Sequence, residues 1–152
     1  MEDNTPKIGQ IKVSDLTANV KLVNNKLHFQ GKAGDNAIID TDYTPPLGDN
    51  LGHTPLELFL ISFATCAGGS ILALLRRMKK TITGLEISAT GVRRDQHPTS
   101  FSKITLHLIL KSSDTSNAEL DKAINMSEET YCPVWAMIKN NVEVVTEYKI
   151  IQ

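Results

Sequence analysis

The feature that most constrains this chain is a long apolar stretch in its middle, at residues 53–80. It reads HTPLELFLISFATCAGGSILALLRRMKK, and positions 58–75 form 18 consecutive residues without a formally charged side chain. An ordinary surface helix carries polar residues along one side, so this stretch is too apolar to be one. We therefore predict a single helix over residues 54–80 that other parts of the protein must cover.

The two ends of the predicted helix carry capping signals. Thr54 can cap the N-terminus, Pro55 suits the first helical position, and Glu57 follows Thr54 by three residues, as in a capping box. The basic run RRMKK favours a helix C-terminus, where the helix dipole is negative. About 26 residues at 1.5 Å per residue give a helix roughly 39 Å long.

A transmembrane helix is the main alternative for this stretch. Its length and the positive charges that follow it both suit a membrane span. However, the stretch contains serine, threonine and glycine, and amphipathic strand patterns flank it on both sides. These features favour a central helix covered by sheet, and we predict no membrane association.

Length, charge and the first residues bound the class of protein. A chain of 152 residues is the size of one domain, and 16 basic against 17 acidic residues give no electrostatic basis for binding nucleic acid or anionic lipid. The first ten residues, MEDNTPKIGQ, lack the apolar core of a secretory signal. We therefore predict a cytoplasmic protein with a single domain over residues 1–152.

Alternating apolar residues predict strands on both sides of the long helix. We predict strands within about residues 11–41, a long hairpin at about residues 82–111, helices between about residues 117 and 140, and a last strand at residues 142–151. In the hairpin, Ile104, Leu106, Leu108 and Leu110 share one face. Strands and helices do not alternate, so the order predicts an α+β fold with a largely antiparallel sheet.

The two cysteines, Cys66 and Cys132, show neither CxxC nor metal-type spacing. In a cytosolic protein such thiols are often buried as small apolar side chains. Because Cys132 precedes Pro133, we expect it at the N-cap of a short helix, where the helix dipole favours a thiolate. Cys66 lies in mid-helix without such help. Trp135 and Met137, which follow Cys132, are expected in the core.

The four histidines show no HxxxH or CxxH spacing. A site that joins His53 to the cysteines is conceivable, but no such spacing supports it, and we predict no metal site. We also predict no bound cofactor.

Three motifs occur in a fixed order along residues 51–150. They are PLELFLISFATCAGGSILALL, in which a glutamate stands nine residues before a cysteine, then FSKITLHLIL, and then YCPVW. This set closely resembles the OsmC/Ohr family of thiol-dependent peroxidases. The resemblance implies a sheet wrapped around a long buried central helix, in a tightly interlocked homodimer.

The resemblance also implies a two-cysteine cycle that reduces small organic hydroperoxides and protects against oxidative stress. Cys66 would be the peroxidatic thiolate that attacks the O–O bond and becomes a sulfenic acid. Cys132 would resolve it as a disulfide. A dithiol reductant protein, which in the family is lipoylated, would restore both thiols.

Glu57 matches the glutamate that, in this family, holds an arginine against the reactive cysteine. Nine residues at about 100° each place Glu57 roughly half a turn from Cys66 and about 13.5 Å along the helix axis. The two side chains cannot meet within one unbroken helix, whereas a glutamate from a second subunit can reach the site. The capping box with Thr54 explains Glu57 equally well without catalysis.

The sequence departs from the family in its arginines. No arginine precedes Arg76, and a lysine supplies charge without the bidentate fork of a guanidinium. Arg76, Arg77, Arg93 and Arg94 are possible substitutes, although such residues are more often solvated surface charges. The alternative hypothesis is therefore a non-catalytic or redox-sensing dimer that binds a small apolar ligand.

Overall fold

The computed structural model of this protein describes residues 14–152, so the beginning of the first predicted strand region, residues 11–13, lies outside it. The chain divides into two compact units, the first ending at Leu58 and the second running from Phe59 to Gln152. The mixed α+β class is confirmed. In chain order the elements are β1 (Ala18–Leu22), β2 (Phe29–Ala33), β3 (Ile39–Thr41), α1 (Pro55–Arg77), β4 (Ile82–Arg93), β5 (Phe101–Ser112), α2 (Asn117–Met126), a π-helical segment (Ser127–Tyr131), α3 (Pro133–Ile138) and β6 (Glu143–Ile151).

The first unit contains a three-stranded antiparallel sheet with the order β1-β2-β3. The loop after β3 is organised by Asp42, whose side chain is fully buried and accepts hydrogen bonds from the backbone N–H groups of Tyr43, Asp49 and Leu51. Burial disfavours the charged carboxylate, but these three donors together hold the pKa of Asp42 below its usual value. The loop that leads to α1 is thus built around one ionised carboxylate.

The second unit contains a three-stranded sheet with the order β4-β5-β6. β4 and β5 form the predicted antiparallel hairpin, whereas β5 and β6 are parallel. β6 is thus the parallel exception, while the other strand pairings within residues 14–152 are antiparallel, as expected for a largely antiparallel fold. The reason is topological, because α2 and α3 form a crossover connection that returns the chain to the starting end of β5.

The core of the second unit combines β5 with the buried side of α1. The four predicted inward residues of β5, Ile104 to Leu110 in alternation, are each at most 1% exposed. On α1 the buried apolar side chains are those of Phe63, Ala67, Ile71, Leu74 and Leu75. Apolar burial of this kind is the main source of stability for such a unit.

The helix α1 starts at Pro55, as predicted, and ends at Arg77, three residues earlier than predicted. It ends there because Lys79 adopts a left-handed conformation with φ of 60°, a common way to terminate a helix. By length and composition α1 could cross a membrane, with a mean hydropathy of 2.1, and 33% of that stretch is buried. Core helices of soluble proteins have the same length and composition.

Candidate functional site

The two cysteines face each other although 66 positions separate them in the sequence. The Cys132 thiol donates a hydrogen bond to Cys66, with a distance of 2.9 Å between the two Sγ atoms. Both are free thiols. Cys66 is half-buried, whereas Cys132 is 2% exposed. A disulfide requires about 2.05 Å between sulfurs, so the pair is close to bonding geometry.

On the α1 side, the position of Cys66 is fixed by close packing of the neighbouring residues. Ala67 is fully buried. A Cβ atom at Gly68 would stand 2.4 Å from Cδ1 of Ile87 on β4, so only glycine lets that side chain approach the helix so closely. Cys66 is therefore held on a rigid helix in direct contact with the sheet of the second unit.

On the opposite side, the π-helical segment and α3 position Cys132. The backbone N–H of Cys132 donates to the carbonyl of Ser127, five residues earlier, at 2.9 Å. Cys132 then caps α3, with Pro133 at its first position, and its sulfur accepts a hydrogen bond from the backbone N–H of Trp135 at 3.3 Å. The predicted N-cap role of Cys132 is confirmed.

The protonation state of Cys132 differs from the sequence-based expectation. Burial, and then the hydrogen bond that the thiol donates to Cys66, raise the pKa of Cys132 to about 12, although the N–H of Trp135 acts in the opposite direction. The expectation that the helix N-terminus favours a thiolate at Cys132 is therefore wrong. Desolvation outweighs the dipole, and Cys132 is a protonated donor at neutral pH.

Two serine hydroxyls, which the sequence analysis missed, join the π-helical segment to α1. Ser127 is fully buried. Its Oγ contacts Oγ of Ser70 on α1 and lies 3.5 Å from the carbonyl oxygen of Ala67. Ser127 belongs to the polar run SEET, whose composition is typical of an exposed surface, so no sequence pattern marks its burial.

An aromatic contact also joins the two sides of the site. The rings of Phe63 and Trp135 pack edge to face with centroids 5.4 Å apart, and both side chains are at most 2% exposed. These residues lie three positions before Cys66 and three after Cys132. The expectation of a core position is confirmed for Trp135 and wrong for Met137, which is 75% exposed.

Glu57 forms the predicted capping box at the start of α1. Its carboxylate accepts a hydrogen bond from the backbone N–H of Thr54 at 2.7 Å, and its own N–H donates to Oγ1 of Thr54 at 3.3 Å. The Thr54 backbone donor, followed by the Thr54 hydroxyl, holds the pKa of Glu57 below its usual value. Within the first unit, helix capping accounts for this side chain.

The four arginines of the second unit have local partners or face solvent. Arg93 donates to the carbonyl of Thr99 at 2.8 Å, and Arg94 donates to the carbonyl of Asn141 at 2.9 Å. Arg76 and Arg77 are exposed at the end of α1. Among residues 59–152, therefore, no guanidinium is hydrogen-bonded to Cys66.

Histidine and carboxylate side chains pair with each other in this structure. His28 contacts Asp40 at 2.8 Å, and His107 contacts Glu147 at 3.1 Å. Within residues 14–152, no group of three or more His, Cys, Asp or Glu side chains is placed to hold a metal ion. The chemistry that the described residues bring together is that of two thiols.

Comparison with solved structures identifies the fold. An OsmC-like protein from Mycoplasma pneumoniae superposes with a TM-score of 0.79 and 18% identity, over 91% of this chain and 99% of that one. The organic hydroperoxide resistance protein OhrB of Bacillus subtilis superposes with a TM-score of 0.62 and 22% identity, over 88% and 98% of the two chains.

Sequence comparison gives the same grouping. Protein YhfA of Escherichia coli K12 is 26% identical over 98 residues, which are 64% of this chain and 73% of YhfA. The family model described as OsmC-like protein matches residues 48–147, a range that contains α1 and both cysteines. The low identities agree with a divergent branch. This chain therefore belongs to the OsmC-like protein family.

Proposed function

We propose that this protein reduces organic hydroperoxides in the cytoplasm through a two-cysteine thiol/disulfide cycle. The observation that carries the proposal is the 2.9 Å contact between the sulfurs of Cys66 and Cys132. The family also includes proteins of organic hydroperoxide resistance, such as OhrB of Bacillus subtilis. Opposed free thiols on two rigid elements are what such a cycle requires.

In the first step, Cys66 is the peroxidatic residue. Its thiolate attacks one oxygen of the O–O bond, the bond breaks, and the other oxygen leaves as an alcohol after taking up a proton. Cys66 becomes a sulfenic acid. This role suits Cys66 because it is the more exposed of the two thiols and accepts the hydrogen bond that Cys132 donates. Because no guanidinium among residues 59–152 is hydrogen-bonded to Cys66, the S–H donor of Cys132 supports the negative sulfur within this unit.

In the second step, Cys132 is the resolving residue. Its sulfur displaces the hydroxyl of the Cys66 sulfenic acid, a disulfide forms, and water leaves with the thiol proton. Burial suits this role, because a protonated and shielded thiol does not compete for the peroxide. An external dithiol, of the lipoyl type, then reduces the disulfide and is itself oxidised. No bound cofactor takes part.

We further propose that the active form is a homodimer in which Glu57 of one copy serves the thiols of the other. The uncovered side of α1 supports a dimer, because Ile61 on this apolar helix remains 49% exposed in the single chain. Glu57 keeps its capping role with Thr54 in this arrangement. Its ionised state, favoured by the Thr54 donors, suits the role that the family resemblance implies for it, which is to hold a cationic side chain near the reactive cysteine.

Thiol titration tests the proposed cycle directly. One equivalent of cumene hydroperoxide should convert two free thiols per chain into one disulfide, as measured by thiol-specific labelling and mass spectrometry. Cys66→Ser should abolish the reaction, whereas Cys132→Ser should stop at a sulfenic acid that dimedone traps. The two variants serve as controls for each other. Thiols that stay unchanged with both cumene hydroperoxide and hydrogen peroxide would contradict the proposal.

A non-catalytic or redox-sensing dimer that binds a small apolar ligand is the second candidate function. It is favoured by the missing arginine and by an apolar cavity of about 400 Å³ in the first unit. The cavity is lined by Val20, Phe29, Gly31, Thr41, Tyr43, Pro55 and Leu58. A lipid-like ligand retained in native mass spectrometry, with unreactive thiols and equal binding by Cys66→Ser, would favour this function over the enzyme.

A further inference from the structure

We propose that Ser70 and Ser127 form a hydroxyl pair that positions Cys132 against Cys66 and thereby sets how readily the two cysteines form a disulfide. The pair is a positioning device, since neither serine is in hydrogen-bond contact with a sulfur. The inference deepens the proposed cycle and rests on it for its biological purpose. The thiol/disulfide equilibrium of Cys66 and Cys132, which the pair is proposed to control, can be measured without any peroxide.

The first observation is the burial and hydrogen bonding of the two hydroxyls. Ser127 is fully buried. Ser70 Oγ lies 2.9 Å and Ser127 Oγ 3.5 Å from the carbonyl oxygen of Ala67, and the two hydroxyls are hydrogen-bonded to each other. Each hydroxyl has one hydrogen, so one of them donates to the carbonyl while the other donates to its partner hydroxyl. A buried hydroxyl without a partner is destabilising, and Ser70 gives the fully buried hydroxyl of Ser127 a partner on α1.

The second observation is the place of this pair relative to the cysteines. Ala67, whose carbonyl ends the hydrogen-bond chain, directly follows Cys66. Ser127, at the other end, accepts the backbone N–H of Cys132 with its own carbonyl at 2.9 Å. The backbone next to Cys66 is thus linked to the backbone of Cys132 by hydrogen bonds at Ser70 and Ser127 and by the covalent structure of Ser127 between them.

The third observation is the π-helical geometry of residues Ser127–Tyr131. A π-helical turn is rare and less well packed than an α-helical turn, and in many proteins it occurs at functional sites. The hydrogen bonds of a π-helix span one residue more than those of an α-helix. Each residue of an α-helix turns by about 100°, so a change of this turn from π-helix to α-helix would rotate Cys132 away from Cys66. The Ser127 hydroxyl holds the first residue of the turn on α1 and opposes that change.

Equilibration of the full-length protein with dithiothreitol tests the proposal. In this exchange the Cys66–Cys132 disulfide is reduced to two thiols while dithiothreitol is oxidised to its cyclic disulfide. We expect Ser127→Ala to lower the equilibrium constant for disulfide formation about tenfold, which raises the reduction potential by about 30 mV. Ser70→Ala should act in the same direction. The double variant should show much less than the sum of the two effects, because both remove one interaction.

Ser112→Ala is the matched control. Ser112 is also a buried serine of the second unit, 4% exposed, and its hydroxyl bonds to Asp114 at 3.1 Å and to Thr115 at 2.7 Å. Loss of the hydroxyl of Ser112 or of Ser127 should lower the midpoint of urea unfolding. Only the Ser127 and Ser70 variants should shift the dithiothreitol equilibrium.

Two results would overturn the proposal. One is an equal shift of the equilibrium in Ser127→Ala and Ser112→Ala, since it would reflect general loss of stability. The other is a dithiothreitol equilibrium that is the same in Ser70→Ala and Ser127→Ala as in the wild type. If Ser127→Ala does not fold, the result for Ser70→Ala decides. A shifted equilibrium in a protein whose thiols ignore peroxides would support the positioning role while contradicting the peroxidase function.

Discussion

At Cys132, two physical effects act on the same sulfur in opposite directions. The N-terminus of α3 offers the backbone N–H of Trp135, which favours a thiolate, whereas burial favours the neutral thiol. Burial prevails because the side chain is almost completely removed from water. The same atom therefore stays protonated at neutral pH and can act as a hydrogen-bond donor to Cys66.

The raised pKa of Cys132 makes the stability of the reduced protein depend on pH. The thiol titrates near 9.0 in the unfolded chain and near 12 in the folded protein, so the unfolded chain loses its proton first as the pH rises. Stability from this thiol is fully present below about pH 9 and is lost as the pH rises towards about 12. We expect the urea midpoint of the reduced protein to fall across this range.

The measurement is urea unfolding with excess reductant, from neutral pH to about pH 11, on the wild type and on Cys132→Ala. The variant removes the titrating thiol and keeps the other basic and phenolic groups that titrate at high pH. We expect its midpoint to fall less steeply. Equal slopes for the two proteins would show that Cys132 has an ordinary pKa in the folded state.

At the scale of the elements, local sequence signals predicted most of the structure around α1. The capping box of Thr54 and Glu57, the alternation along β5 and the N-cap position of Cys132 all follow from patterns within a few residues. The helix α1 ends three residues before the predicted end because Lys79 adopts a left-handed conformation, which a lysine rarely adopts and its presence does not predict.

The parts of the site that the sequence could not predict depend on long-range packing. Spacing alone does not bring Cys66 to Cys132, and only the family resemblance implied their pairing. No apolar pattern distinguishes the π-helical segment SEETY from a short α-helix, because the segment is polar and spans only five residues. The burial of Ser127 follows from where this segment meets α1, which no local pattern encodes.

Glu57 allows its helix-capping role to be separated from its proposed catalytic role. A glutamine at the third helical position can still close the capping box, whereas alanine cannot. We expect Glu57→Gln to keep the melting temperature and to lower hydroperoxide turnover at least tenfold, because it removes the charge. Glu57→Ala should lower both. Thermal unfolding and a hydroperoxide consumption assay make the comparison.

Ser116 provides the control for a pure capping effect. It forms a complete capping box with Glu119 at the start of α2, away from the thiols in sequence. Ser116→Ala should cost about 1 kcal/mol of stability while turnover at saturating substrate stays normal. Full activity of Glu57→Gln would leave helix capping as the sole role of Glu57.

At the scale of the whole molecule, one side of α1 is left exposed by the described residues 14–152. Ile61, Thr65 and Gly69 lie four residues apart along this side, and all three are exposed. A Cβ at Gly69 would meet no atom within 4 Å. An exposed face on so apolar a helix is typical of an interaction surface, and a second copy of the chain is the partner that the proposed dimer supplies.

Ile61 should therefore be central to dimer formation. We expect the wild type to sediment as a dimer and Ile61→Glu to sediment as a monomer, because a buried unpaired carboxylate opposes association. Ile109→Glu is the matched control, since Ile109 is 41% exposed on β5, close to the 49% of Ile61. It should remain dimeric. Sedimentation velocity of the three proteins at equal concentration makes the comparison, and a monomeric wild type would contradict the dimer.

If Glu57 acts across the interface, the Ile61→Glu monomer should also lose hydroperoxide turnover while its Cys66–Cys132 disulfide still equilibrates normally with dithiothreitol.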